Sequence, residues 1–161
     1  MKTNVFKEDN LFLTIFKKLV LYFLISVMLA FGVSLLVGYQ YKIVRTGSME
    51  PTLHVWTLVA VRPVDFEDVK VGDIITFSSS DKSSTITYTH RVVAIEDGKL
   101  RTKGDANGNN VDISPIGEDR YLGVVEFHSY FIGLVITYIK SNILQCIIGA
   151  VIVFLTYLIV A

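Results

Sequence analysis

Apolar residues crowd the two ends of this chain and alternate with polar ones in its middle. Residues 19–41 carry no charge. At about 1.5 Å rise per residue, roughly 20 helical residues cross the ~30 Å hydrocarbon layer, so residues 19–38 predict a transmembrane helix. The competing reading is a cleavable signal peptide, whose apolar region is usually about 7–15 residues long and ends in a small-x-small site. The run here is longer and leads into Gly38-Tyr39-Gln40-Tyr41, so an uncleaved anchor is expected. Residues 141–161 are again uncharged and long enough for a second span. A buried helix is the alternative there, but the middle of the chain is too small to surround so apolar a segment.

Between these runs the pattern changes to short β-branched and aromatic stretches at 58–62, 73–77, 85–95, 99–103 and 121–127, separated by Gly, Pro, Asp or Asn. Such stretches predict strands. Asp97-Gly98 is a strong hairpin signal, residues 78–84 form a polar loop, and 106–110 are rich in Asn and Gly. No amphipathic helix is evident in this region. The fold class expected is mainly β, a small antiparallel sheet flanked by two transmembrane helices. The expected divisions are a cytoplasmic segment at 1–18, a span at 19–38 and an extracytoplasmic β domain at 39–128. An interfacial segment at 129–140 and a second span at 141–161 complete it. Residues 11–19 have roughly helical apolar spacing and suit a short interfacial helix.

Composition sharpens this picture. The chain has 161 residues, 52% of them hydrophobic, and a formal net charge of zero; its mean hydropathy is +0.52. That is too apolar for an ordinary soluble domain, and the charge balance gives no reason to expect a nucleic-acid partner. The single cysteine, Cys146, lies in an apolar run, which excludes an intrachain disulfide and a cysteine-based metal site. His54, His90 and His128 lack the short mutual spacing of a zinc site. Lys17 and Lys18 precede the first span and favour a cytoplasmic N-terminus, so the β domain is expected outside.

The candidate chemistry begins where the membrane-like pattern ends. Thr46-Gly47-Ser48-Met49-Glu50-Pro51-Thr52 sets a serine in a tight turn. A serine hydroxyl needs a base to become a nucleophile. His90, in Thr89-His90-Arg91-Val92-Val93, follows strand-like alternation that gives its side chain a fixed direction, and an imidazole can accept a proton near neutral pH. Alone, a strand histidine reads as an ordinary half-buried residue. His54 is nearer in sequence, but extended chain and Pro51 carry it away from Ser48, so it reads as a loop residue; His128 reads as interfacial. Asp105 and Asp112 could each orient the base, although either is also a natural turn former. Asp73, in Val71-Gly72-Asp73, reads as the start of a strand.

Taken in order, Gly47-Ser48-Met49-Glu50-Pro51-Thr52, Val71-Gly72-Asp73-Ile74-Ile75-Thr76-Phe77, Thr89-His90-Arg91-Val92-Val93 and Thr102-Lys103-Gly104-Asp105-Ala106-Asn107 with Asp112 beyond resemble the boxes of type I signal peptidases. The resemblance covers residues 41–127. With His90 where the common bacterial enzymes have a lysine, the chain is similar to the serine–histidine branch of the endoplasmic reticulum, archaea and Gram-positive spore-forming bacteria. The resemblance implies Ser48 as nucleophile, His90 as general base and then acid, and Asp112 as the acid orienting it. It implies Asp105 as a supporting functional residue, with Asp112 favoured over Asp105 for the orienting role. The Ser48 backbone N–H and the Thr46 hydroxyl would meet the oxyanion, and Thr46 and Met49 are the candidate oxyanion and substrate-binding residues. No metal and no cofactor are required.

Two departures stand out. Trp56 occupies or adjoins a turn position that is glycine in relatives, and a tryptophan disfavours positive φ. Either the turn is built differently, or the ring enters the membrane surface, where tryptophan is favoured. The loop from Asp105 to Asp112 is also longer than usual. The function implied is a membrane-bound serine endopeptidase that removes signal peptides from secretory preproteins after small residues. Its implied location is the cell membrane, multi-pass, with the endoplasmic reticulum membrane as the alternative. Its expected partners are those preproteins, the lipid bilayer and, as an open case, a secretion machinery. The alternative function is an inactive membrane-anchored scaffold subunit of the same fold, which the two departures would favour.

Overall fold

The computed structural model describes residues 5–160, with side chains over 11–156; the first residues of the segment expected at 1–18 lie outside that range. The chain divides into two compact units, Met1–Tyr39 and Gln40–Ala161. The first is dominated by one helix, α1 (Val5–Leu36). It begins well upstream of the start expected at 19 and runs through Lys17 and Lys18, because nothing there breaks a helix and lysine is a good helix former. Its stretch Leu11–Leu36 is long and apolar enough to cross a membrane.

The second unit is built on a six-stranded antiparallel sheet. Its strands are β1 (Gln40–Ile43), β2 (Leu58–Arg62), β3 (Ile74–Ser78), β4 (Thr87–Glu96), β5 (Lys99–Lys103) and β6 (Tyr121–Ser129). The spatial order is β1-β2-β6-β3-β4-β5. Thus β6, last in sequence, lies between β2 and β3 and joins two halves made earlier in the chain. The Asp97-Gly98 pair turns β4 into β5, with φ of 50° and 68°, the two positive values a type I′ hairpin turn requires. β1 falls in a stretch with no strand signal of its own; it is short and follows directly on the apolar run.

Two apolar clusters flank the sheet's centre. One gathers Ile75, Phe77, Val92, Leu100, Ile116 and Tyr121. The other is smaller, formed by Met49, Leu53, Val59 and Val61 with Val44 against it. Met49 and Leu53 are almost wholly buried. Each buried side chain of this size stabilises by about 1.5–3 kcal/mol, so the loop carrying Ser48 is pinned to the core on its C-terminal side.

Helix α2 (Tyr130–Ser141) continues directly from β6, with the Ser129 hydroxyl accepting from the Ile132 N–H at its start. Helix α3 (Ile143–Val160) follows. The two meet at 87° across Asn142, whose backbone N–H donates to the carbonyls of Tyr138 and Ile139. Among the described residues, α1 alone is one continuous span-length helix, and α2 with α3 qualifies only as a bent pair.

Trp56 corrects an expectation. It takes φ of 75°, the conformation a tryptophan was expected to avoid. Its N–H donates to the Val44 carbonyl at 2.8 Å, and the Val44 N–H donates to the Thr57 carbonyl at 2.9 Å. Its carbonyl faces α2 at Gly133, where a Cβ would come within 1.9 Å. The Arg45 guanidinium lies 5.3 Å from the ring centre. These contacts together hold a backbone conformation that costs a non-glycine residue about 1–2 kcal/mol.

Candidate active site

Ser48 sits in a single 3-10 turn, Gly47–Met49, just beyond β1. The turn is closed by the Glu50 N–H donating to the Gly47 carbonyl at 3.1 Å, and the Leu53 N–H donates to the Met49 carbonyl at 2.9 Å. Across it lies the stretch after β5. The Ala106 N–H donates to the Ser48 carbonyl at 2.9 Å. Gly104 packs so near that a Cβ there would stand 2.5 Å from the same oxygen. The backbone of Ser48 is therefore held from two sides while its hydroxyl faces inward.

His90 lies on β4, in register with Ile75 of β3. It is 8% exposed, with its ring 6.0 Å from that of Phe77 in an edge-on arrangement. Its Nδ1 is 2.6 Å from Asp112 Oδ2, and its Nε2 is 3.1 Å from Ser48 Oγ. A carboxylate only accepts, so Nδ1 carries the proton it shares with Asp112. In the neutral ring Nε2 is then free to accept from the serine hydroxyl. Asp112 is itself fixed, accepting from the Thr102 hydroxyl at 2.6 Å, while its backbone N–H donates to the Thr102 carbonyl at 2.8 Å. A hydroxyl bonded to an imidazole that is bonded to a carboxylate is an arrangement able to draw the hydroxyl proton away.

The two candidate carboxylates are separated by geometry. Asp105 does not reach His90. It takes Arg91 Nε at 2.9 Å and Nη2 at 2.7 Å in a forked pair, and it accepts from the Thr52 hydroxyl at 2.6 Å. The Arg91 hydrogen bonds, and secondarily Thr52, hold the Asp105 carboxyl below its ordinary value. Arg91 also donates to the Gly72 carbonyl at 2.9 Å. Asp105 thereby ties the Ser48 loop, the strand of His90 and the turn before β3 into one unit.

Thr46 Oγ1 is 3.4 Å from Ser48 Oγ. Met49 lies in the core and also lines a cleft of about 510 Å³. On one side that cleft is bordered by Lys42, Val44, Thr46 and Ser48, and on the other by Ile86 and Tyr88. Among the described residues β1 pairs only with β2, and β4 pairs with β5 only from Arg91 onward. Two unpaired strand edges therefore face one cleft. His54 is exposed beside Glu50 at 3.8 Å and against the Tyr130 ring, His128 pairs with Val59, and Asp73 accepts from the Lys70 N–H as a turn former. None of these three joins Ser48 and His90. Thr102, Gly104, Arg91 and Thr52 received no role from sequence reasoning, although each adjoins a candidate or lies in the same motif. Among the described residues, no group of three or more His, Cys, Asp or Glu side chains is placed to hold a metal.

The match to known proteins falls on this same region. Residues 16–121 match the family described as signal peptidase, peptidase S26, and the chain belongs to that family. It is 34% identical over 87 residues to a protein named signal peptidase I W from Bacillus subtilis (strain 168). That stretch is 51% of this chain and 44% of the relative, so the chain spans less than half the length of the curated protein it matches.

Proposed function

We propose that the protein is a membrane-bound serine endopeptidase that removes signal peptides from secretory preproteins after small residues. The observation that carries this reading is the Asp112–His90–Ser48 chain, at 2.6 and 3.1 Å, opening into a cleft between two strand edges. Ser48 Oγ attacks the scissile carbonyl as its proton passes to His90 Nε2. Asp112 stabilises the imidazolium that forms. The negative charge on the carbonyl oxygen is met by the Ser48 backbone N–H and the Thr46 hydroxyl, donors each worth a few kcal/mol. His90 then returns the proton to the leaving amine, and water repeats the sequence on the acyl-enzyme. Asp105 acts from outside this chain, holding the loops in place through Arg91 and Thr52.

The preprotein lies in the cleft as an added strand, hydrogen-bonding along an open edge while alternate side chains enter shallow pockets. Residues 39–128 form the extracytoplasmic catalytic domain of a multi-pass protein of the cell membrane, with a first span within α1 and a second supplied by the apolar run that includes α3. Holding the substrate's apolar segment in the bilayer presents its cleavage site at a fixed height. The test is co-expression with a secretory precursor. Ser48→Ala and His90→Ala are each expected to lower processing by about 10³-fold or more. Processing at wild-type rate by both variants would overturn the mechanism. His90→Lys asks whether the site accepts an amine base in place of the imidazole.

A further inference from the structure

We infer that the cleft carries a subsite for an acidic side chain of the substrate, formed chiefly by Lys42. The inference deepens the peptidase reading and rests on it. The cleft that holds Ser48 is lined by two charged residues, Lys42 and Arg45, and both are cations. No carboxylate lines it among the described residues. The carboxylates nearby are otherwise engaged: Asp112 with His90 and Thr102, Asp105 with Arg91 and Thr52, and Glu50 beside His54. The positive charge of the cleft is therefore not neutralised from within the site.

The two cations differ in freedom. Arg45 lies over the Trp56 ring at 5.3 Å, so its guanidinium is partly committed to that turn. Lys42 forms no ion pair among the described residues. It sits on β1 in register with Val59, half-buried at the cleft wall. It stands four residues before Thr46, the strand itself ending at Ile43, so at about 3.3 Å per extended residue the two are at most about 13 Å apart along the chain. A peptide lying along that edge with its scissile bond at Ser48 brings a residue about four or more positions away opposite Lys42. An ammonium on a flexible stem accepts a carboxylate there without demanding one geometry. Membrane headgroups are anionic too, but Lys42 lines the same cleft as Ser48, which favours the peptide.

The test uses the full chain in detergent and synthetic peptides sharing one small-residue cleavage site. Ala, Glu or Lys is placed in turn at each position about three to seven residues from the cut, on both sides. At one position wild type is expected to cleave the Glu peptide with kcat/KM about threefold above the Ala peptide, and the Lys peptide about threefold below it, the scale of one partly screened ion pair. The ranking should flatten at about 1 M salt, where screening acts over about 3 Å. Lys42→Glu should invert the ranking, and Lys42→Met, which keeps the stem, should erase it. Uniform cleavage of all peptides, or an unchanged ranking in Lys42→Glu, overturns the subsite. An unchanged ranking joined to weaker association of that variant with anionic lipid vesicles assigns the cation to headgroups instead. Absence of cleavage of every peptide overturns the peptidase reading along with it.

Discussion

Gly104 and the carbonyl of Ser48 are packed so closely that one added carbon would stand 2.5 Å from the oxygen. The next nearest atoms belong to the Asn107 amide, which can swing aside, whereas the Ser48 backbone cannot move without taking its hydroxyl along. Gly104→Ala is therefore expected to shift Ser48 relative to His90. Displacements of about 1 Å cost on the order of 10² in rate, and the forced contact costs about 1–3 kcal/mol of stability. Precursor processing and thermal unfolding of the same variant check both. Unaltered processing would mean the turn absorbs the added methyl.

Thr102 donates to the same Asp112 oxygen that accepts from His90 Nδ1–H, each at 2.6 Å. Thr102 is fully buried, so no water replaces a lost hydroxyl. Thr102→Val keeps the shape and removes the donor. The variant is expected to lower kcat about tenfold, the rate equivalent of one hydrogen bond of about 1.4 kcal/mol, while KM stays near that of wild type. A change confined to KM would place Thr102 outside the proton path.

Asp105 links stability to pH. Its carboxyl is held below the ordinary value of 3.8, first by the Arg91 hydrogen bond. A depressed folded value means the contribution is present above the unfolded value and lost as pH falls below it. The wild type is therefore expected to lose stability on acidification from about pH 4 downward, and Asp105→Asn should show a shallower loss over that window. At neutral pH the same variant should be less stable than wild type by about 1–2 kcal/mol, since an arginine is left without its forked partner. Parallel acid titrations of the two proteins would refute this.

Trp56 provides a comparison of two substitutions. Both Ala and Gly remove the ring and its contact with Arg45. Only Gly adopts φ of 75° without steric cost. Trp56→Gly is thus expected to exceed Trp56→Ala in stability by about 1 kcal/mol, measured as the difference in denaturant midpoint. Equal midpoints would mean the turn rearranges once the ring is gone.

The parts of the structure legible in the chain are those governed by local physics. Short strand-forming stretches between turn formers marked Leu58–Arg62 and Lys99–Lys103 at their observed bounds, and Asp97-Gly98 marked the hairpin between β4 and β5. What such local signals do not carry is which strands become neighbours. Nothing in the residues of β6 says that it separates β2 from β3, because that depends on burying two distant clusters at once. The same limit left Asp112 favoured over Asp105 by the resemblance alone, not by any physical signal. Both lie in Asx-rich loop chemistry, and only the pairing of the Asp112 and Thr102 backbones aims one of them at His90. Trp56 was read through intrinsic preference alone, and tertiary hydrogen bonds to Val44 outweighed it. The chain's last apolar run showed its polarity but not the turn at Asn142, where one polar residue sits between two helices.

The strand order has a consequence for the protein before it is complete. Ser48 follows β1 at one end of the order and His90 stands on β4 near the other. The strand ladder between them is complete only with β6, the last strand in the sequence, which pairs with β2 on one side and β3 on the other. Until β6 is made, the two halves are joined by the loop contacts of Ser48, Thr52 and Arg91 with residues 104–106, not by paired strands.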